Sequence, residues 1–194
     1  MANKTLVTPV GVASYPYLLK ADFGYDDGGV YQSKLSFPKD ASASAFAAAV
    51  DAAMEESFVA ATAQAKGRKV NRAASPVVED NNGYTLKAKL KATGVNHTTK
   101  QVFTQVPKIF DNKNAPWDPE KQIWSGSKLK LQVELVPYYT KGEAGITLRL
   151  KAAQVLKLVS SDAEKSPFGA AAPEDYSGLA QGPAGDSDDA AGDF

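Results

Sequence analysis

Residues 128–136 read Lys-Leu-Lys-Leu-Gln-Val-Glu-Leu-Val, and this stretch decides the fold class. Leu129, Leu131, Val133 and Leu135 alternate with Lys128, Lys130, Gln132 and Glu134. A strand turns successive side chains to opposite faces, so the stretch is a strand with one apolar face and one charged face. As a helix, at about 100° per residue, it would scatter these apolar residues around the axis in steps of about 200°. Two further stretches keep the same period. Tyr84 to Ala92 turns Leu86, Ala88 and Leu90 one way and Lys87, Lys89 and Lys91 the other. Ile146, Leu148, Leu150 and Ala152 alternate with Thr147, Arg149 and Lys151, and from Ala153 to Val159 the phase slips, which points to a β-bulge. Pro137-Tyr138-Tyr139 is expected to end the first of these strands, and Lys141 to Gly145 to form the turn into the last.

Upstream, Thr5–Val12 and Tyr15–Leu19 are β-compatible runs split at Ala13-Ser14. The cluster GYDDGG, residues 24–29, is a turn, and Val30 to Phe37 alternates as a strand that Pro38 stops. Asn81-Asn82-Gly83 is a second turn, and Gln101 to Phe110 is a strand interrupted by Pro107. Asp111 to Ser125 is a loop in which Trp117 and Trp124 are expected to pack the chain down.

The segment from Asp40 to Lys66 differs. It is rich in alanine, the strongest helix former, with Asp40 or Ser42 as cap and Gly67 as stop. Phe46, Ala49, Val50, Ala53, Met54 and Phe58 recur at helical spacing and predict one amphipathic helix packed on a sheet. Five or more short antiparallel strands with one helix make a mainly β, partly open barrel of the OB type the expected fold; a small α+β sandwich is the alternative.

Composition divides the chain in two. All 22 basic residues balance 22 acidic ones. Residues 1–161 carry 21 Lys+Arg against 14 Asp+Glu, a net of +7, and residues 162–194 carry one Lys against eight acids, a net of −7. Ala, Gly, Pro, Ser and Asp dominate beyond Ser160, too little apolar surface to offset the entropy of ordering. A barrel domain over 1–161 and a disordered acidic tail over 162–194 are therefore expected. Such asymmetry fits a basic binding body with an acidic interaction tail, or a merely solubilising tail.

Several chemistries are set aside. The chain has no cysteine and one histidine, His97, in a polar loop, so neither a transition-metal site nor a thiol nucleophile is expected. Gly126-Ser127-Lys128 lacks the upstream glycine of a phosphate-binding loop and leads into a strand. The carboxylate pairs Asp26-Asp27 and Glu79-Asp80 sit beside turn residues. No enzyme and no cofactor are expected. The start of the chain, Met1-Ala2-Asn3-Lys4-Thr5, shows no long apolar run and no stretch approaches a membrane span, so neither a signal peptide nor a membrane partner is expected.

What remains is a binding surface. Lys87, Lys89 and Lys91 project about 7 Å apart along one strand face, close to the roughly 6–7 Å between phosphates of an extended nucleic-acid strand. The ladder is a backbone track or a guard against edge-to-edge aggregation. Lys128 and Lys130 extend the basic surface, and Tyr138 and Tyr139 lie beside it as stacking platforms or as half-buried packing.

Four segments, in order along the chain, resemble the single-stranded DNA-binding proteins of short-tailed bacteriophages that encode their own replisome. They are Ala21-Asp22-Phe23-Gly24 with Gly29-Val30-Tyr31, then Tyr84 to Lys89, then Gly126 to Lys130 with Leu135 to Tyr138, and the terminal Asp193-Phe194 after an acidic stretch. The resemblance implies an OB-fold with one helix, single-stranded DNA binding without strong sequence preference in phage replication, recombination and repair, and a homodimer in the cytoplasm of the infected bacterial host. It implies that the tail, through Asp186, Asp188, Asp189, Asp193 and Phe194, contacts the phage DNA polymerase and helicase–primase. Lys87, Lys89 and Tyr138 match family DNA contacts; Lys91 departs, standing where the family carries an aromatic. A phage structural or scaffold protein and an OB-fold RNA chaperone are the competing readings.

Overall fold

The protein is described by a computed structural model covering residues 4–24, 26–96 and 99–159. His97 and the acidic tail, with Asp186, Asp188, Asp189, Asp193 and Phe194, lie outside the described residues. Eleven strands and one helix follow in order among those residues: β1 (Lys4–Val7), β2 (Gly11–Asp22), β3 (Val30–Phe37), α1 (Ala41–Gln64), β4 (Asn71–Arg72), β5 (Val77–Asp80), β6 (Gly83–Lys91), β7 (Thr93–Val95), β8 (Val102–Thr104), β9 (Lys108–Phe110), β10 (Lys128–Thr140) and β11 (Glu143–Lys157).

Five strands close on themselves. β2 pairs β3, β3 pairs β6, β6 pairs β11, β11 pairs β10, and β10 returns to β2. The β6–β11 pairing is parallel; the other four are antiparallel. Two seams are short: Lys128–Leu129 against Gly11–Val12, and Arg149 against Lys89. This ring, with one helix and short flanking strands, is a mainly β, OB-like fold in which the barrel is incompletely closed.

Alternation fills the ring. Leu86, Ala88 and Leu90 of β6, Leu129, Leu131, Val133 and Leu135 of β10, and Leu148 and Leu150 of β11 are buried, as their spacing requires. Helix α1 covers one end of this core. Asp40, not Ser42, caps it: the carboxylate accepts the Ala43 N–H at 2.7 Å. The buried stripe is Ala43, Phe46, Val50, Met54, Ser57 and Ala61. Ala49 and Phe58, expected on that face, flank it half-buried. Ser57 takes the inward place because its hydroxyl donates to the Gly145 carbonyl at 2.9 Å, satisfying a polar group that a pattern of apolar residues overlooks.

Three boundaries differ from the sequence reading. β2 runs through Ala13-Ser14, and the break with β1 falls at Thr8–Val10, where the Thr8 hydroxyl accepts the Leu131 N–H at 3.0 Å. β10 continues through Pro137 to Thr140, so the turn shrinks to Lys141-Gly142 and Glu143–Gly145 already belong to β11. Proline fits there because it interrupts only its own N–H. The phase slip in β11 starts earlier than Ala153: Gln132 and Val133 face Ala152 and Leu150, leaving Lys151 as the extra residue. β5 is a strand that the sequence reading left out.

Gly83 closes the β5–β6 turn with φ +144, and a Cβ added there collides with the Phe37 carbonyl oxygen. Gly67, with φ +86, meets nothing within 4 Å. Alanine at position 67 therefore suffers only the left-handed backbone, while alanine at position 83 must also displace main chain. Gly83→Ala is expected to lose about 3 kcal/mol and Gly67→Ala about 1 kcal/mol in equilibrium chemical denaturation. Equal losses at the two sites would remove the steric account.

Candidate nucleic-acid interface

The register of the ring assembles the site. Across β3 and β6, Lys34 stands opposite Lys87, Gln32 opposite Lys89 and Val30 opposite Lys91. On the other side of β3, Tyr17 of β2 faces Gln32 and Ser14 faces Lys34. On the other side of β6, Arg149 of β11 lies beside Lys89. Paired residues share a face. One row therefore crosses four strands as Tyr17, Gln32, Lys89 and Arg149, and a second crosses three as Ser14, Lys34 and Lys87. Their sequence neighbours Leu18, Leu35, Leu86, Ala88 and Leu148 point inward and are buried, so both rows face out.

The β7–β8 hairpin stands beside this face. With β6 and β11 it bounds a groove of about 1160 Å³ whose lining includes Lys87, Lys89, Lys91, Phe103, Thr147 and Arg149. Phe103 is 44% exposed, and its ring lies so close to Gly94 that an added Cβ there would sit 2.6 Å from the ring. The Gln105 amide donates to the Lys91 carbonyl at 2.8 Å and ties the hairpin back to β6.

Charge on this face is unevenly compensated. Lys91 pairs with Asp26 at 3.2 Å. The Lys91 ammonium, then the Gly28 N–H, hold the Asp26 carboxyl below its usual range, so the pair persists at neutral pH and is lost only as pH falls through that lowered value. Glu134 accepts from Arg149 at 3.4 Å and also meets Lys151 at 3.6 Å. Lys34, Lys87 and Lys89 form no ion pair among the described residues. Lys34 and Lys87 stand directly opposite each other, an arrangement that destabilises a sheet by like-charge repulsion. The Gln32 amide is engaged by Asp22 at 2.9 Å. Among the described residues no group of three or more His, Asp or Glu is placed to hold a metal ion.

The structure brings together some of the residues singled out from the sequence and separates others. Lys87, Lys89 and Lys91 line the groove. Tyr138 stands opposite Gly145 on the outward face of β10 and β11, the face of Thr147 and Arg149, about 13 Å along β11 from Arg149. Partial burial, then Glu143, whose carboxylate accepts its hydroxyl at 3.3 Å, push the Tyr138 phenol up. Tyr139 alternates to the opposite face, and both tyrosines border a separate cavity of about 330 Å³ between β10 and α1. Lys128 and Lys130 lie at the far end of β10, opposite Lys157 and Gln154, away from the groove lining. Trp117 packs against the core and donates its indole N–H to the Lys121 carbonyl at 2.9 Å, as expected, whereas Trp124 remains 47% exposed.

Sequence reasoning missed Tyr17, Gln32, Lys34, Phe103 and Arg149. Alternation within 30–37 and 146–152 already turns Gln32, Lys34 and Arg149 outward. What it lacks is the pairing that carries Arg149 alongside Lys89.

Known proteins resemble this chain in sequence and fold. The family model described as the single-stranded DNA-binding protein of bacteriophage T7 matches residues 10–159. The single-stranded DNA-binding protein of Escherichia phage T7 is 27% identical over 176 residues, covering 80% of this chain and 76% of the relative. The crystal structure of gp2.5, a single-stranded DNA binding protein encoded by bacteriophage T7, matches with a TM-score of 0.71 at 26% identity, covering 85% of this chain and 98% of that one. The single-stranded DNA-binding protein of bacteriophage Enc34, solved in complex with single-stranded DNA, shares the fold at a TM-score of 0.57 and 18% identity, covering 80% and 88% of the two chains. The match over residues 10–159 spans the whole ring and its helix, from β2 to β11, and the chain belongs to the family of T7-type phage single-stranded DNA-binding proteins.

Proposed function

We propose that this chain binds single-stranded DNA, without strong sequence preference, along the outward face of β3, β6 and β11. The observation that carries this reading is the alignment on that face of Lys34, Lys87 and Lys89, which form no ion pair among the described residues. Their strand spacing of about 7 Å suits successive phosphates of an extended strand. A polyanion relieves the repulsion between Lys34 and Lys87 that the free protein bears. Phe103 supplies an aromatic wall and Tyr138 a ring further along the outward face; rings stack on any base. Because Asp22 engages the Gln32 amide, the four-strand row offers cations and rings more than free groups that discriminate base edges. The protein is read as a binding protein and not an enzyme.

Family membership supports a role in phage DNA replication, recombination and repair, in the cytoplasm of the infected host, with a homodimer as the working unit. The tail, net −7 and ending in Asp193-Phe194, supports recruitment of the phage DNA polymerase and helicase–primase through Asp186, Asp188, Asp189, Asp193 and Phe194. The body, net +7, leaves that tail a weak internal competitor for the cationic face.

Three outcomes test these assignments. Lys87→Ala with Lys89→Ala is expected to weaken binding to oligo-dT and to flatten log Kd against log salt by about 0.7 per contact, roughly 1.4 in all. An unchanged slope would make the ladder a solvated strand face, and equal affinity for oligo-rU would turn the reading towards RNA. Asp26→Asn frees Lys91 and should tighten oligo-dT binding at low salt, steepening the slope by up to about 0.7; unaltered affinity would place Lys91 off the track. Deleting residues 186–194 should tighten DNA binding at low salt, with the gain fading as salt rises, and abolish capture of the cognate polymerase. Intact capture would make the tail a solubilising end.

A further inference from the structure

Tyr15 combines three properties that do not ordinarily coincide. Its φ is +50, in the left-handed region that a bulky residue avoids. It precedes Pro16, which restricts its backbone further. It is nevertheless 72% exposed, so its ring recovers little packing energy in return. Strain of this kind persists only where the surroundings enforce it.

The surroundings do enforce it. β2 takes three residue steps from Ser14 to Tyr17 while β3 takes two from Lys34 to Gln32, so one residue of β2 is extra and the strand bulges. The loop before β10 clamps the other side of the bulge. Ser127 accepts the Ala13 N–H at 2.9 Å, Gly126 donates to the Ala13 carbonyl at 2.8 Å, and the Ser125 hydroxyl accepts the Tyr15 N–H at 3.0 Å. Ala13 and Leu18 on either side are buried in the core. The backbone is thus pinned on both sides while the ring is held out.

Tyr15 lies between the two residues of β2 that meet the cationic band. Ser14, its neighbour, faces Lys34, and Tyr17, two residues on and 42% exposed, closes the row that holds Lys89 and Arg149. Neighbouring strands lie about 4.8 Å apart, so two strand spacings, about 10 Å, separate Tyr17 from Lys89. One to two extended nucleotides bridge that distance at roughly 6–7 Å each. We propose that Tyr15 is a stacking platform for an unpaired base, presented by the β2 bulge at the edge of the lysine face, so that the bound strand continues past Lys34 onto β2. The proposal rests on the single-stranded DNA reading above and adds a subsite to it.

Glycine separates the ring from the backbone, because it adopts positive φ without strain. Tyr15→Gly and Tyr15→Phe are compared with wild type in the full chain by thermal unfolding, and by titration with oligo-dT and an abasic strand of equal length at two salt concentrations. The expected result is that Tyr15→Gly unfolds at the same or a higher temperature, binds oligo-dT roughly 5- to 100-fold more weakly, and keeps the salt slope of wild type. Tyr15→Phe should bind as wild type does, and on the abasic strand wild type and Tyr15→Gly should converge. The proposal is overturned if Tyr15→Gly binds oligo-dT normally, which would turn the exposed ring towards a protein partner. It is equally overturned if the defect persists undiminished on the abasic strand, or if Tyr15→Gly lowers the unfolding temperature and Tyr15→Phe restores it, since the ring would then be structural. Failure of wild type itself to bind oligo-dT overturns the parent reading instead.

Discussion

Period-two alternation on a closed ring ties the core of this protein to its charged face. In β6, Leu86, Ala88 and Leu90 fill the barrel because Lys87, Lys89 and Lys91 face out, and neither set can move without the other. A register slip of one residue would bury three ammonium groups and expose three apolar side chains. In an open sheet a strand can shear at the edge; here β6 is held by β3 on one side and by β5, then β11 at Arg149, on the other. The core thus fixes the spacing of the lysines, and the site needs no device of its own to hold them in line.

That arrangement has an electrostatic consequence. The cations nearest the edges of the face are compensated from within, Lys91 by Asp26, while Arg149 and Lys151 share the single carboxylate of Glu134. Among the described residues those at the centre have no ion-pair partner, and Lys34 against Lys87 is a repulsive pair built into the β3–β6 ladder. Exposure to water keeps each penalty small, since solvent screens surface charges strongly. The chain as a whole is neutral, so the cationic character belongs to the face and not to the average.

Much of this was legible in the sequence because it is local. Alternation located β3, β6, β10 and β11, and the Asp40 cap and the helical spacing located α1 within two residues at each end. Features that depend on a partner far along the chain were not legible. Pro137 reads as a terminator until Ile146 is seen opposite it in a hairpin that tolerates a missing N–H. Ser57 reads as an exposed helix residue until the Gly145 carbonyl, 88 residues away, supplies its hydrogen bond. The same holds for the site. Lys87 and Lys89 announce themselves within one strand, but Tyr17, Gln32 and Arg149 join them only through three strand pairings that no local pattern encodes. Phe103 belongs to a hairpin of two three-residue strands, too short for any period to show.

The groove runs where the ring is thinnest. β10 and β11 pair along the whole of β10, and β3 and β6 pair over eight residues, but β6 meets β11 through the single partnership of Lys89 with Arg149. Parallel neighbours cannot be joined by a tight turn, so these two strands reach each other only through the long excursion that includes the β7–β8 hairpin and β9. The hairpin then stands beside the weak seam and walls it, with Phe103 and Gln105 facing the β6 edge. Register shifts interrupt the ring, among them one at Lys151 in β11, two residues from the seam, and one at Tyr15 in β2, two strands away, and each extra residue adds the twist that a closing sheet requires. Closure of a five-stranded ring from strands of unequal length therefore leaves a thin seam between β6 and β11, with the hairpin as its wall. The outward lysines of β6 lie along that seam, and the shape of the site follows from how the ring closes.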